Sequence, residues 1–354
     1  MNILVAARLN SEYKLRMTLD PIIHLDCVDQ IFLVRRYPIQ LPKTICYSPP
    51  SLLRKSIITT ELYRIWMIFY LCLTQKVNCL MGIHFIFHCV YVALAKMIFR
   101  IPLIMLIIES PDKYRRKGLF KFFLRRADLI GVRGNHSRKH ILDLTGLDDH
   151  KVFITPDIHE FNHVQNNSQP KIYDLIFVGY YTQAKRLDIL LDVLDKVRKK
   201  IPNVKLAMVG DGPLSDMVTR KIKELDLAGN IDRLGFVEKI DDYLNRSKIF
   251  IMTSQTEGLP TVLLEAMQFG LPLIVPDVGD IKDLAINGQN AIVVEPLKTE
   301  QFADACVQLL TNESLYNRMV ENTRKMFSEK QKNHTAGHVW NVWKRHIESS
   351  IKLS

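Results

Sequence analysis

The sequence predicts an α/β protein of two domains, each a parallel sheet wound on both faces by helices. Three observations carry this. The chain has 354 residues, which at about 150 residues per domain makes two. Apolar residues are 47% and charged residues 24% of the chain, so each domain can bury a core without staples. That composition excludes a disordered chain, a collagen and a disulfide mini-protein. Finally, short runs of Val, Ile and Leu alternate with helix-period segments along the whole length. Continuous apolar strands between helices belong to parallel sheets covered on both faces.

Taken in order, the predicted strands of the first half are 2–7, 30–34, 78–84, 103–109, 129–132 and 152–154. Those of the second half are 174–178, 204–209, 231–234, 248–252, 272–275 and 291–293. The start, MNILVAARLNSE, has no charged leader and only a short apolar run, so it reads as a strand and not as a signal peptide. Segment 80–108 is apolar enough to raise the question of a membrane span. His84, His88, Lys96, Arg100 and Pro102 interrupt it, and strand–helix–strand over 78–84, 85–99 and 103–109 fits better. The polar stretch 160–173, EFNHVQNNSQPKIY, lacks any period and divides the domains near residue 165, giving 1–165 and 166–334. In the tail, 335–354, Val339, Trp340, Trp343 and Ile347 share one helical face that needs a surface to cover it.

Six cysteines occur without a CxxC and mostly in apolar runs, as reduced core residues of a cytosolic protein do. Net charge is +11, and residues 1–160 hold 23 Lys and Arg against 13 Asp and Glu. The first half therefore prefers an anionic surface, a membrane or a nucleic acid. No helix-turn-helix, RNA-recognition or zinc pattern supports nucleic acid. Segment 113–126, KYRRKGLFKFFLRR, places Lys113, Arg115, Arg116, Lys117, Lys121, Arg125 and Arg126 around Phe122 and Phe123. It reads as an amphipathic helix lying on anionic lipid. The alternative is a solvated helix whose Phe face packs on its own domain.

Three segments of the second half carry chemistry. In DLIFVGYYTQAKRLDILLDVL (174–194) a strand ends at Gly179 and a helix starts near Leu187. Backbone N–H groups and a helix N-terminus then meet at the strand's end, with Lys185 and Arg186 beside them, which suits an anion. An ordinary loop with solvated cations is the alternative. VKLAMVGDGPLSDMV (204–218) makes a tight turn through Gly210, Gly212 and Pro213, where Asp211 either meets a ligand or stabilises the turn. In TSQTEGLPTVLLEAMQFGLPLIVPDVG (253–279), Glu257 lies in a loop and Glu265 more than a turn into a helix whose first turn holds Pro260. Two carboxylates so spaced accept hydrogen bonds from the hydroxyls of a ribose or sugar. N–H groups from Gly258 to Thr261 suit phosphate or sugar oxygens. The bland reading is one solvated and one capping Glu.

Together these pieces, in this order and spacing, resemble the C-terminal domain of glycosyltransferase family 4, the retaining GT-B enzymes. The resemblance is dense over 174–310. It rests on Gly179 with Lys185, on GDGP at 210–213, on LGFV at 234–237 and on Glu257 with Glu265. It implies a GT-B fold: two Rossmann-like doubly wound domains facing across a cleft, the C-terminal helix crossing back to the first. It implies that Glu265 binds the ribose, Glu257 the donor sugar and Lys185 the diphosphate. The backbone around Val237 then meets the base, and amides of Gly258, Leu259 and Thr261 meet sugar and phosphate.

Departures are also clear. Tyr180 stands where the family usually has Arg, and Arg186 where it usually has Gly, so Arg186 is the candidate that compensates. Glu109 stands where the N-terminal domain often has His. Glu109 and Asp112 are the nearest candidates for a base, and loop solvation is the alternative for both. No D-x-D occurs, so no metal or other cofactor is expected. The implied reaction moves a hexose-type unit from a nucleotide sugar to a saccharide or lipid-linked acceptor. Its expected place is the cytoplasmic face of a membrane, as a peripheral enzyme of bacterial surface polysaccharide synthesis. An acceptor-free enzyme such as a nucleotide-sugar epimerase, and a non-catalytic nucleotide-sugar-binding scaffold, are the rivals.

Overall fold

The computed structural model describes residues 1–7, 12–83, 88–110, 118–159, 161 and 169–351. The chain divides into two compact units, Met1–His159 with Asn333–Ser354, and Glu160–Lys332.

Unit 1 runs β1 (Asn2–Ala7), α1 (Glu12–Ile23), β2 (Gln30–Val34), β3 (Thr44–Tyr47), α2 (Ile57–Thr74), β4 (Cys79–Ile83), α3 (Val90–Phe99) and β5 (Leu103–Ile107). It continues with α4 (Gly118–Leu124), β6 (Leu129–Val132), α5 (Asn135–Thr145) and β7 (Val152–Ile154). The seven strands lie in the order β3-β2-β1-β4-β5-β6-β7, every pair parallel. Leu4, Leu80 and Met105 point to one face, where α2, α3, α4 and α5 cover them. Ile3, Val5 and Met81 point to the other, under α1 and the last helix, α12 (Ala336–Ser350). This alternation is why the strands are apolar without interruption.

The two tryptophans anchor α12. Trp343 is 1% exposed. Its Nε1 donates to Thr155 Oγ1 at 2.6 Å, and its ring meets Phe153 edge-on at 5.2 Å. Trp340 Nε1 donates to Asp20 Oδ2 at 2.8 Å, and its ring stacks on His24 at 4.3 Å. The helix that follows unit 2 in sequence thus completes the core of unit 1.

Unit 2 repeats the plan with β8 (Tyr173–Val178), α6 (Leu187–Lys200), β9 (Leu206–Val209), α7 (Ser215–Glu224), β10 (Ile231–Gly235), α8 (Asp241–Asn245) and β11 (Ser247–Ile251). Then come α9 (Val262–Gln268), β12 (Leu273–Pro276), β13 (Ala291–Val294), α10 (Thr299–Thr311) and α11 (Glu313–Lys330). Its sheet is β10-β9-β8-β11-β12-β13, again all parallel. After β8 the chain first builds outward to β10. It then returns to lay β11 on the other side of β8. The crevice at the C-terminal ends of β8 and β11 is therefore the topological switch point, where open α/β sheets bind ligands.

The structure corrects three expectations. Strand β3 had no signal, because TICY is an edge strand of only four residues, none of them buried, and too short to show a period. Of the basic segment 113–126, only Gly118–Leu124 is described as helix. Phe123, at 6% exposed, is buried with Phe120 and Leu124 in the unit 1 core and is no membrane contact. Phe122 is 41% exposed and carries the Arg126 guanidinium 3.3 Å over its ring. Lys121 and Arg125 are exposed. Lys113, Arg115, Arg116 and Lys117 lie outside the described residues, as does Asp112. The third correction concerns Glu265, which sits in the first turn of the seven-residue α9, with Pro260 two residues ahead of that helix.

Candidate active site

The switch point of unit 2 brings together residues 72 positions apart. Lys185 closes a 3-10 turn, Gln183–Lys185, just after β8. Glu257 lies in the loop after β11. Lys185 Nζ donates to Glu257 Oε1 at 2.7 Å, and both side chains are largely buried, at 18% and 12% exposed. The loops are pinned from below. Buried Thr253 donates from Oγ1 to the carbonyls of Lys185 at 3.2 Å and Arg186 at 3.1 Å. Gln255 N donates to Ala184 O at 2.8 Å. An ion pair held this way costs little further ordering when a ligand arrives.

Glycine makes the close approaches. Gly279 has φ +54°, and a Cβ there would lie 2.0 Å from the Glu257 carbonyl oxygen. Gly210, at φ +131°, packs as closely on the Gly179 carbonyl. No other residue lets these loops nest, so the glycines set the height of Glu257 and Gly179 above the sheet. Asp211 turns out to hold its own turn. Its Oδ1 accepts from Gly212 N at 2.8 Å and from Ser215 Oγ, and these bonds lower its pKa.

A cavity of about 520 Å³ opens beside the pair. Val178, Gly179, Tyr180, Gly210, Asp211, Phe236, Val237 and Ile240 are among its walls. This volume suits a small-molecule ligand. Gly179 joins the cavity to the ion pair: a Cβ placed on it would lie 3.5 Å from Lys185 Cε. Val237 is one of the cavity's walls. Two exposed aromatics, Tyr180 at 63% and Phe236 at 83%, stand among its walls. Phe236 went unremarked in the sequence, although it is the only aromatic of LGFV. Thr253 and the fully buried Ser254 were also missed. Polar residues directly after an apolar strand were the available signal.

The loop Gly258–Thr261 follows Glu257. The amides of Gly258, Leu259 and Thr261 donate to no group among the described residues, and Pro260 has none to give. Three unspent N–H groups before a helix are able to donate to oxygen atoms of a ligand. Glu265, a turn further on, is largely buried. Burial first, and then the charge of Asp241, push its pKa up to about 7. Such a carboxyl group changes charge near neutral pH.

Arg186 has another occupation. Its backbone is left-handed, φ 49° and ψ 52°. This is the conformation that makes glycine the easier residue there. Its guanidinium grips Asp188 bidentately, Nε to Oδ1 at 2.9 Å and Nη2 to Oδ2 at 2.7 Å. The structure does not bring it to the Lys185–Glu257 pair. Glu109 belongs to unit 1, half-buried two residues past the end of β5 beside buried Ser110.

Residues 159–326 match the family model of "Glycosyl transferases group 1". Over 300 residues the chain is 25% identical to an uncharacterized glycosyltransferase of Methanocaldococcus jannaschii, covering 70% of this chain and 72% of that one. It is 30% identical over 199 residues to the amylovoran biosynthesis glycosyltransferase AmsD of Erwinia amylovora, covering 53% and 54%. Apart from the archaeal relative, the chain spans about half or less of the length of the first curated relatives it matches. HepE of Anabaena, solved with UDP-glucose, superposes over 99% of this chain and 100% of its own, with a TM-score of 0.75 at 16% identity. The lipopolysaccharide outer core galactosyltransferase WaaB, in its apo form, gives 0.74 at 16%, covering 99% of each chain. At such identity these likenesses concern the fold, and the fold is GT-B.

Proposed function

From a chain whose residues 159–326 form a glycosyl transferases group 1 domain, we infer that the protein moves a hexose-type sugar, with retention, from a nucleotide sugar to a saccharide or lipid-linked acceptor. The observation that carries this reading is the buried Lys185–Glu257 pair at the switch point, set between a ligand-sized cavity and three unspent amides. The base and ribose occupy the cavity side, by Val237 and Glu265. Ribose hydroxyls donate to the Glu265 carboxylate. Lys185 faces the diphosphate and Glu257 the hydroxyls of the sugar.

In the transfer, the bond from the anomeric carbon to the diphosphate oxygen breaks, and its electron pair leaves with the phosphate. The acceptor hydroxyl oxygen bonds to the anomeric carbon, and its proton passes to the departing phosphate. Negative charge therefore grows where Lys185 and the Gly258–Thr261 amides lie. Fixed donors aimed at such growing charge supply the largest part of many rate enhancements. The same donors do the work that a metal does elsewhere, so the reading needs no metal. Its relatives include the amylovoran biosynthesis glycosyltransferase AmsD and a poly(ribitol-phosphate) alpha-N-acetylglucosaminyltransferase of Staphylococcus aureus. They support a place in bacterial polysaccharide synthesis. We further propose, on the basic excess of the first half, that the enzyme is peripheral at the cytoplasmic face of the membrane.

Lys185→Ala tests the reading. Donor hydrolysis and transfer should fall by roughly 10²-fold or more, as when one charge-stabilising donor is removed. Wild-type turnover in that variant would refute the assignment. Donor binding by wild type, with no turnover on any acceptor class, would return the chain to the non-catalytic scaffold reading.

A further inference from the structure

Helix α2 is built inside out. It has 18 residues, Ile57–Thr74, and two charged ones, Glu61 and Arg64. Both face inward. Arg64 is 3% exposed and Nη1 donates to Glu61 Oε1 at 2.6 Å, with buried His88 Nε2 at 2.8 Å from the same nitrogen. The outward face holds Ile57, Ile58, Leu62, Trp66, Tyr70 and Leu73, each 45 to 74% exposed. Thr74 at the very end is the sole polar residue among the exposed ones. Spacings of four and three make one stripe, from Ile58 to Leu73 about 22 Å long. A surface helix of a water-soluble protein shows the opposite arrangement.

The stripe does not stand alone. Helices α2, α3 and α4 cover the same face of the unit 1 sheet. Leu94, Met97 and Ile98 of α3 and Leu119 and Phe122 of α4 are exposed too. Of the 19 exposed large hydrophobic residues among the described ones, 12 fall between Leu52 and Phe122. Scatter is ordinary on a protein surface, but concentration on one face marks an interaction site.

Charge says what covers this face. Residues 48–126 contain 13 Lys and Arg against three acids, an excess equal to that of the whole first half. Exposed cations stand at the ends of the apolar helices: Lys55 before α2, Lys76 after it, Arg100 after α3, and Lys121 and Arg125 in and after α4. Apolar side chains with Trp and Tyr, rimmed by cations and free of exposed acids within α2, match the boundary of an anionic bilayer. Another protein copy with the same basic rim would repel itself.

We propose that α2, with the exposed edges of α3 and α4, is the surface on which this protein lies on anionic phospholipid, α2 parallel to the membrane with Trp66 and Tyr70 at headgroup depth. Helix α2 does not span, because Met67, Ile68 and Leu71 remain packed on the sheet. This deepens the peripheral-membrane part of the function proposed above and centres the contact on α2, with α4 of the 113–126 segment at its edge.

The test is co-sedimentation of the full chain with vesicles of phosphatidylcholine alone and of phosphatidylcholine with 30 mol% phosphatidylglycerol. Wild type should partition onto the anionic vesicles. The triple variant Leu62→Ser, Trp66→Ser, Tyr70→Ser should partition about tenfold less or weaker, with an unchanged melting temperature. Lys55→Glu with Lys121→Glu should lose about fivefold per charge replaced. Nucleotide-sugar binding by the soluble protein, measured in parallel, reads the donor site separately, so failure of either claim leaves the other visible. Failure of wild type to bind anionic vesicles would overturn the proposal. So would equal binding by the triple variant, or a dimer in light scattering that the triple variant dissociates while neither protein meets lipid.

Discussion

Glu265 allows the sharpest quantitative prediction, because its place in the site works against its fold. Its carboxyl titrates near 7 where an exposed Glu titrates near 4.5, chiefly because burial disfavours the charge. The folded state therefore holds this proton more tightly than the unfolded chain does. Stability from this group is fully present below about pH 4.5, falls as pH rises, and is lost once pH passes about 7. At about 1.36 kcal/mol per pH unit between the two values, the ionised carboxylate costs up to about 3 kcal/mol. Glu265→Gln keeps the shape and removes the charge. Wild type and variant should melt together near pH 4.5, and diverge as pH rises. Above about pH 8 the variant should lead by up to about 3 kcal/mol, or about 6–12 °C at ~2–4 °C per kcal/mol for a unit of this size. The assay is thermal unfolding of both proteins across that range, read as the difference between them so that other groups cancel. The gain in stability should come with lost nucleotide affinity, the usual exchange at a functional site. A difference that stays flat with pH, or a variant less stable above pH 7, would show that burial does not oppose the Glu265 charge in the folded state.

Other consequences follow from the same geometry. Gly279→Ala places a methyl on the Glu257 carbonyl oxygen, and should weaken donor binding by tenfold or more without touching the ligand, as titration calorimetry would show. Arg186→Gly removes the Asp188 bond but relieves a left-handed backbone. These effects, each about 1 kcal/mol, oppose one another. Turnover should stay within about threefold, and a larger loss in a steady-state assay would restore the compensating role suggested by the sequence. Trp343→Phe leaves Thr155 Oγ1 without its partner deep in unit 1, which should cost about 1–3 kcal/mol in denaturant unfolding while leaving nucleotide affinity unchanged.

The sequence exposes most of the fold for a simple reason. Parallel strands buried on both faces are uninterrupted apolar runs, so β1, β5, β9 and β12 announce themselves. The tail helix did so too, through four large apolar residues on one face. What stays hidden depends on neighbours. Strand β3 pairs along one side only, and its four residues are too few to show a pattern. Phe122 and Phe123 are adjacent in an equally basic, aromatic stretch, and only the turn of α4 decides which is buried. The same holds for the candidate site. Its residue types and order were legible, yet the Lys185–Glu257 contact is made by sheet order, which crosses 72 residues. The engagement of Arg186 with Asp188 was not visible, although only one residue separates them, because it requires the left-handed turn. Helix α2 shows a further limit. Its apolar character is plain in sequence, but only burial reveals that the two charged residues face inward and the apolar ones outward.

The account stands most directly on donor binding at the switch point of unit 2. A thermal-shift and slow-hydrolysis screen of UDP-, GDP-, ADP- and TDP-sugars on wild type, Lys185→Ala and Glu265→Ala measures it. One nucleotide class, at 100 times its dissociation constant, should stabilise wild type by about 2.7 kcal/mol. That shift should fade in both variants and be accompanied by sugar release in wild type alone. No shift with any nucleotide sugar, or the same shift and release in all three proteins, would contradict it.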